Sequence, residues 1–246
     1  MIKVSVVCPT FNSARFIEKT LSSVVVQNRK PDELIISDDG SSDETVKIVE
    51  QFLHNHCEDI YWVILENTHH GPGAARNAGV SIATGEWVAF LDSDDLWLPN
   101  KLNEVESAIV DNPGTNFFCH DEQFINKYGR VSQLKYGRNY DSAKSLPLQM
   151  YSANMFSTSA VTCYRELLIQ NNGFNERLMS AQDYELWLRL SPYIKPVFIH
   201  SVLGKYIERD GNITSGQLRK RMKNEIRIAL MHHHMVPNMW FVLRLG

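Results

Sequence analysis

The sequence lacks any run of apolar residues long enough to cross a membrane. A spanning helix needs about 20 consecutive apolar residues, and no stretch of the 246 residues approaches that length. The apolar part of the N-terminus, Ile2 to Cys8, is also too short for a signal peptide. We therefore expect a cytoplasmic protein and not an integral membrane protein.

Paired cysteines and a strong net charge are also missing. Of the four cysteines, Cys8, Cys57, Cys119 and Cys163, no two have the spacing of a metal or redox site. Their number is low for a secreted disulfide scaffold, which favours a reducing compartment. The net charge of -3 gives no reason to expect nucleic acid as a partner. The chain length and the 43% hydrophobic content fit one globular domain with room for an appendage.

What the first half does contain is a fourfold alternation of apolar runs and helical periodicity. The predicted strands are Val4 to Cys8, Leu34 to Ile36, Tyr61 to Leu65, and the run from Glu86 to Leu91. Apolar runs without polar alternation are typical of strands buried on both faces. The alternation predicts an α/β fold, with a mostly parallel sheet flanked by helices and right-handed crossovers.

Three of these strands end in polar residues. Thr10 and Asn12 follow the first strand, Asp38 and Asp39 the second, and the segment 92–95, Asp-Ser-Asp-Asp, the fourth. In a parallel sheet these ends lie along one edge, where ligands bind in open α/β folds. Carboxylates suit Mg²⁺ or Mn²⁺, which usually complete their shell with substrate phosphates. The alternative, that each segment is only a turn or helix cap, explains the polarity but not the shared edge.

The second half is less regular. Residues 124–150 form an irregular excursion or hairpin, Phe156 to Tyr164 is a predicted strand, and Ser180 to Asp183 opens a helix. Ser180 and Asp183 have capping-box spacing, so Asp183 could simply cap that helix.

From about residue 216 a basic amphipathic helix is predicted. Arg219, Lys223 and Arg227 share one face, and a second face is apolar. This face could contact an anionic membrane, or it could be the solvated side of an ordinary docked helix. The run His232-His233-His234 could bind metal. Consecutive residues of a helix do not face one way, however, so a chance run of histidines without a metal-binding role is favoured.

Five motifs stand in a fixed order over residues 2–215. They are Val6-Val7-Cys8-Pro9-Thr10-Phe11-Asn12, Ser37-Asp38-Asp39-Gly40-Ser41-Ser42-Asp43, Gly71-Pro72-Gly73-Ala74-Ala75-Arg76-Asn77-Ala78-Gly79, Asp92-Ser93-Asp94-Asp95, and Gly173-Phe174 with Gln182-Asp183-Tyr184-Glu185-Leu186-Trp187-Leu188-Arg189. In these motifs the chain resembles the family 2 glycosyltransferases with the GT-A fold. The resemblance implies a glycosyltransferase domain over 1–215, with a nucleotide-binding half (1–115) and an acceptor half (116–215), followed by a helical extension (216–246).

The resemblance also implies a nucleotide-sugar donor, with UDP the favoured nucleotide, a divalent metal (Mn²⁺ or Mg²⁺), and inverting transfer to an acceptor hydroxyl. Pro9, Thr10 and Asp39 would hold the base and ribose, with Asp38 and Arg76 nearby. The full nucleotide-binding set is Pro9, Thr10, Asn12, Asp38, Asp39, Arg76, Asp92, Ser93 and Arg209.

For the chemistry, the resemblance implies an acid on the ribose side at Asp92, a metal ligand at Asp94 with Asp95 sharing that role, and the catalytic base at Asp183. A cation would stabilise the leaving diphosphate electrostatically, and inversion needs a single well-placed base. The acceptor would be a saccharide or a lipid-linked saccharide, with the enzyme peripheral to the inner face of the membrane.

The chain departs from the family pattern at two positions. Gln182 stands where the family commonly has Glu before the base, so one charge is missing. Arg209 stands where the family often has His; it could pair with the diphosphate, or it could be a surface loop charge.

Two other functions remain to be weighed. A sugar nucleotidyltransferase would need a Gly-rich phosphate loop after the first strand, where this chain has Thr10-Phe11-Asn12-Ser13. A catalytically inactive nucleotide-sugar-binding module would have lost the base or the metal acids, and both are present.

Overall fold

A computed structural model describes residues 2–209 and 218–237; the side chains of residues 218–222 lie outside that description. The described residues contain nine strands: β1 (Val4–Thr10), β2 (Glu33–Asp38), β3 (Tyr61–Glu66), β4 (Trp87–Phe90), β5 (Leu96–Trp97), β6 (Phe117–Ile125), β7 (Val131–Leu134), β8 (Val161–Tyr164) and β9 (Pro196–Ile207). The helices are α1 (Ile17–Val25), α2 (Thr45–His56), α3 (Pro72–Ile82), α4 (Lys101–Asp111), α5 (Leu146–Ser152), α6 (Arg165–Gln170), α7 (Gln182–Leu190) and α8 (Leu218–Met231).

All nine strands belong to one sheet, in the order β3-β2-β1-β4-β8-β6-β9-β5, with β7 paired to β6. The first four strands are parallel neighbours. β8 runs antiparallel to both β4 and β6, so β6 and its parallel neighbour β9 share the direction of β1. The predicted α/β fold with a mostly parallel sheet is confirmed. The carboxyl ends of β1, β2, β4 and β9 therefore lie along one edge.

Two apolar cores cover the two faces of the sheet, which is why the central strands β1, β2 and β4 are buried at every position. Along β1, Val4, Val6 and Cys8 pack toward α1 and α2, while Val7 points to the other face and its core of α5 and α7 residues. This burial on both faces is what parallel strands between helix layers require. The edge strand β3 is only partly buried.

The small residues of α3 let it lie close to the sheet. A methyl group added at Gly79 would lie 2.6 Å from Val7 Cγ1, closer than real contacts allow. Gly79 therefore brings α3, and with it Arg76, against the carboxyl end of β1 and β4.

One strand prediction is wrong over part of its length. The extended run that we expected from Phe156 begins only at Val161, and residues Thr158–Ala160 form a 3-10 turn instead. Apolar patterning does not show this turn, because its cause is tertiary: the Ser159 side chain hydrogen-bonds the acidic loop after β4.

Helix α8 docks through a narrow face. Ile228, Ala229 and the following His232 are buried, and Tyr151 Oη donates a 3.1 Å hydrogen bond to the carbonyl oxygen of Ala229. His233 and His234 are exposed, so the three histidines do not share a face. Within the described residues no helix has the length and apolar character of a membrane span. The predicted 216–246 extension falls partly outside the described residues, Arg219 included, and stays a prediction.

Candidate nucleotide and metal site

The ends of β1 and β2 are joined by side-chain hydrogen bonds. Thr10 Oγ1 donates to Asp38 Oδ1 at 2.8 Å, and the other carboxylate oxygen of Asp38 accepts from the Ser41 backbone amide at 2.7 Å. Both residues are buried, as is Pro9, which stands opposite Ser37 in the register of β1 and β2. These three predicted nucleotide residues thus lie together at the sheet edge, where Thr10 and Asp38 hold two strand-end loops in place.

Asn12 and Ser93 hold further loops at the same edge. Asn12 has a left-handed backbone (φ 49°), and its Oδ1 accepts from the Ser42 backbone amide at 2.9 Å. The hydroxyls of Ser13 and Ser93 are 2.7 Å apart. The loop after β1 is therefore tied both to the loop after β2 and to the acidic loop after β4.

Asp39 is buried and directed at the loop before α3. Its carboxylate accepts from the backbone amides of His70 (2.8 Å) and Gly71 (2.9 Å), and lies 2.8 Å from His69 Nδ1. The His69 ring stacks on Phe11, with ring centroids 4.3 Å apart. Neither aromatic residue was among the predicted site residues, because nothing in the sequence pattern brings residues 11 and 69 together.

Arg76 and Asp92 form an ion pair at the centre of the edge. Arg76 Nη2 lies 2.5 Å from Asp92 Oδ1, and the Arg76 side chain is almost fully buried while Asp92 is partly exposed. The guanidinium also lies over the Phe174 ring. Arg76 Nε is buried without a hydrogen-bond partner among the described residues. Such an ion pair holds the Asp92 carboxylate in one position while leaving it open to solvent.

Asp94 and Asp95 are adjacent in sequence, but their carboxylates differ in how accessible they are to a ligand. Asp95 is buried, accepting from Ser159 Oγ at 2.6 Å and from the Ile207 amide at 3.4 Å. Burial, followed by the Asp94 charge, raises the pKa of Asp95 well above its usual value. Asp94 is partly exposed, and burial with the nearby Asp92 charge raises its pKa to about 6. Asp94 is thus the better placed of the two to contact a ligand.

The guanidinium of Arg209, just past the end of β9, lies against the acidic loop. Arg209 Nη2 donates to the Asp94 carbonyl oxygen at 2.6 Å, and its guanidinium carbon is 3.8 Å from the centroid of the Phe16 ring. These contacts hold the Arg209 guanidinium beside the acidic loop. They would not be expected if Arg209 were only a charged residue of a surface loop.

Asp183 stands at the start of α7. Thr158 Oγ1 lies 3.4 Å from Asp183 Oδ2. Burial is the largest cause of a raised pKa for Asp183, with Arg76 and the Tyr184 amide acting in the opposite direction. No capping box forms, since Ala181 precedes the helix and no side chain caps it. Gln182 is buried with its Oε1 unpartnered among the described residues.

The turn 158–160 connects the two halves of the site and is missing from the predicted residues. Ser159 Oγ accepts from the Asp92 amide at 3.0 Å and donates to Asp95, while its neighbour Thr158 contacts Asp183. The sequence carries no signal for this role, because the run Ser157-Thr158-Ser159 has no pattern that indicates a partner elsewhere in the chain.

The carboxylates of the loop after β4 suit a hard divalent cation that is held by few protein ligands. The Asp92 charge helps to raise the pKa of Asp94, and a bound cation would relieve this repulsion between the two carboxylates. No three His, Cys, Asp or Glu side chains converge on one point anywhere in the described ranges. Such a cation would therefore be held by one or two carboxylates, Asp94 foremost, and by groups of its substrate.

Among known proteins, the family model described as glycosyl transferase family 2 matches residues 5–166. One relative is the GalNAc(5)-diNAcBac-PP-undecaprenol beta-1,3-glucosyltransferase of Campylobacter jejuni, which is 29% identical over 93% of this chain and 77% of its own. The chain spans only about 30% of the length of two other relatives, which are uncharacterized glycosyltransferases of Rickettsia felis and Rickettsia conorii.

Two solved structures share the fold. Staphylococcus aureus TarS 1-349 in complex with UDP-GlcNAc has a TM-score of 0.73 at 24% identity, over 93% of this chain and 67% of that one. The mannosyltransferase PcManGT of Pyrobaculum calidifontis, in complex with GDP-Man and Mn²⁺, has a TM-score of 0.72 at 21% identity, over 94% of this chain and 64% of that one. Since the family model covers well over half of the sequence, the chain belongs to glycosyl transferase family 2.

Proposed function

We propose that this chain is a metal-dependent, inverting glycosyltransferase that moves a sugar from a UDP-sugar to a hydroxyl of a lipid-linked saccharide. The observation that carries the proposal is the position of Arg76, Asp92, Asp94 and Asp183 at one edge of the sheet. Arg76 comes from α3, Asp92 and Asp94 from the loop after β4, and Asp183 from the start of α7. A sugar nucleotidyltransferase fits less well, because the loop after β1 lacks the glycines that would cradle a triphosphate.

The nucleoside would lie over the ends of β1 and β2. Thr10 and Asp38 keep these loops together, Asn12 and Ser93 hold the loops beside them, and Pro9 closes β1. Asp92, held by Arg76, accepts hydrogen bonds from the ribose side. Arg209 offers positive charge to the diphosphate, for which a planar guanidinium is well suited.

Asp94 would hold Mn²⁺ or Mg²⁺, with Asp95 as its buried neighbour. The cation, when bound, supplies charge that stabilises the departing diphosphate. The Mn²⁺ complex of PcManGT supports this choice of metal. Arg209 lies against the loop of Asp94 and would add to this stabilisation of charge.

Asp183 takes the proton. Its carboxylate accepts the hydrogen of the acceptor hydroxyl while the hydroxyl oxygen bonds to the anomeric carbon. The bond from that carbon to the diphosphate oxygen breaks on the opposite face, and the electron pair leaves with UDP. Attack opposite the leaving group inverts the anomeric centre. Burial favours the base role, because a raised pKa makes the Asp183 carboxylate a stronger proton acceptor.

The acceptor would come from a membrane surface, which α8 contacts. The undecaprenol-linked substrate in the name of the Campylobacter jejuni relative supports a lipid-linked saccharide. Helix α8 leaves Lys223 and Arg227 exposed together with Ile226 and Leu230. Basic and apolar side chains together match an anionic lipid surface. We place the enzyme on the cytoplasmic face of the membrane.

Replacement of the base tests the proposal. UDP-sugars are screened with Mn²⁺ and undecaprenyl-diphosphate-linked saccharides, and release of UDP is measured. Wild type should consume one UDP-sugar, and Asp183→Asn should transfer it about 10²–10⁴ times more slowly while UDP affinity stays near normal. Normal turnover by folded Asp183→Asn, or no transfer from any UDP-sugar, would overturn the proposed function.

A further inference from the structure

His232 differs from the two histidines that follow it in the chain. It is 7% exposed, whereas His233 and His234 are exposed to solvent. Its backbone amide donates to the carbonyl oxygen of Ile228 at 3.1 Å, so it continues the last turn of α8. Its Nε2 lies 3.0 Å from Glu185 Oε1, in α7. A buried imidazole needs such a partner, because an unpaired polar group is costly to bury.

Glu185 is a buried carboxylate that connects three segments of the chain. It is 1% exposed, and Arg189 Nε donates to its Oε1 at 2.9 Å. The Arg189 guanidinium also donates to the carbonyl oxygen of Gly173 at 2.6 Å. Burial acts to raise the pKa of Glu185, but hydrogen bonds from His232 and Arg189 together outweigh it and hold that pKa below its usual value. The carboxylate is therefore ionised near neutral pH and can only accept, so His232 Nε2 carries the hydrogen of their contact.

A second residue of α8 contacts the chain on the other side of Asp183. Asn224 Nδ2 donates to Ser180 Oγ. Asn224 and His232 stand eight residues apart, a spacing that places them on one face of a helix. Ser180 lies three residues before Asp183, and Glu185 lies two residues after it. One face of α8 thus holds the chain on both sides of Asp183.

The start of α7 depends on contacts of this kind. Ala181 has a left-handed backbone (φ 57°), which residues other than glycine rarely adopt, and its side chain cannot cap the helix. The Glu185 amide closes the first helical turn by donating to the Ala181 carbonyl oxygen at 3.0 Å. The Asp183 carboxylate lies within this turn, and its hydrogen bond from Thr158 Oγ1 is long, at 3.4 Å. The direction of that carboxylate therefore follows the position of the turn, which His232 helps to fix.

We propose that His232 is a positioning residue for the transfer reaction: through Glu185 it fixes the first turn of α7, so that the Asp183 carboxylate points at the acceptor hydroxyl. The inference rests on the proposed role of Asp183 as the base. It gives α8 a part in catalysis, although α8 lies outside residues 5–166, which the family model matches. A misdirected base slows proton transfer but leaves the donor site intact, because Arg76, Asp92 and Arg209 lie on other segments.

Kinetics of His232→Leu test this assignment, since leucine fills the buried position but cannot donate to Glu185. Release of UDP is measured with the UDP-sugar and the undecaprenyl-diphosphate-linked saccharide that wild type consumes. We expect kcat to fall about 10–100-fold, while KM for the UDP-sugar and the affinity for UDP stay near their wild-type values. His232→Gln keeps a side-chain donor for Glu185 and should restore most of the lost kcat. His234→Leu, the same change at an exposed position, should behave as wild type.

A double-mutant comparison separates positioning from a general loss of stability. With the base removed by Asp183→Asn, the further change His232→Leu should cause no additional fall in kcat, because no base remains to be directed. A purely structural role of His232 would lower kcat by the same factor in both backgrounds.

If His232→Leu does not fold, Asn224→Ala takes its place, because it removes the contact with Ser180 at a half-buried position. Its loss of kcat should disappear in the Asp183→Asn background in the same way. An unchanged kcat in the folded variant, or an equal loss in both backgrounds, would overturn the inference alone. Normal turnover by Asp183→Asn itself would overturn the proposed function as well.

Discussion

Burial raises the pKa of several carboxylates in this fold. Burial raises the pKa of Asp94 to about 6 and that of Glu122 to about 7, because each side chain loses the water that stabilises its charge. The consequence differs with position. At Asp94 and Asp183 a raised pKa belongs to groups that would meet a cation or a proton, whereas Glu122 on β6 is remote from solvent and serves the fold.

Because Glu122 ionises at a different pH in the folded and unfolded states, the free energy of unfolding should depend on pH, and this dependence can be measured. Its usual pKa is 4.5 and burial raises it to about 7, while Tyr136 Oη donates to its Oε2 at 2.7 Å. The folded state therefore binds more protons than the unfolded chain between these values, and stability falls as the pH rises through that range. Glu122→Gln keeps an acceptor for Tyr136 but cannot ionise.

We predict that Glu122→Gln gains stability over wild type as the pH is raised from 5 to 8, by on the order of 1 kcal/mol for each unit of pKa shift. Urea unfolding at several pH values measures this difference. Glu166→Gln, a change of the same kind at an exposed helix position, should show no such trend. Parallel curves for wild type and Glu122→Gln would contradict the assignment.

At the scale of elements, the sequence predicts the strands and helices of the first half well. Their apolar runs are buried on both faces, and parallel strands must bring their ends to one edge, so Thr10, Asp38 and Asp92 could be grouped without coordinates. The turn Thr158–Ala160 and the stacking of Phe11 on His69 could not be predicted. Both depend on contacts between distant segments, for which local pattern carries no information.

Helix α8 is the element whose outer surface remains to be explained. Its docking face is narrow, and the exposed Ile226 and Leu230 stand beside Lys223 and Arg227. We predict that the protein floats with vesicles containing anionic phosphatidylglycerol at low salt, and that Lys223→Glu with Arg227→Glu abolishes flotation. Each basic residue near such a surface contributes about 1 kcal/mol, so the double reversal should weaken binding by well over tenfold.

The control for flotation reverses the same amount of charge elsewhere. Lys3 and Lys195 are exposed before β1 and β9, at the edge opposite the site, and Lys3→Glu with Lys195→Glu should float as wild type does. If the two double variants float equally, or if wild type does not float, the predicted membrane contact is contradicted and α8 is an ordinary docked helix.

At the scale of the whole molecule, one continuous sheet links the predicted nucleotide side to the predicted acceptor side. β4 pairs with β8 and β6 pairs with β9, so the loop after β4, the turn before β8 and Arg209 after β9 meet at the same edge. Asp94, Asp183 and Arg209 are far apart in sequence and could be grouped beforehand only through the family resemblance. The pairing of strands supplies the physical reason for that grouping.

The central claim is that Asp94 joins a cation to the donor diphosphate at this edge, and calorimetry of UDP with Mn²⁺ and with EDTA tests it most directly. Wild type should bind UDP at least about tenfold more tightly with Mn²⁺, and Asp94→Asn should lose that difference while remaining folded. Asp111→Asn, the same charge change at the exposed end of α4, should keep it. An Asp94→Asn protein whose UDP affinity still rises with Mn²⁺ as in wild type would contradict the account.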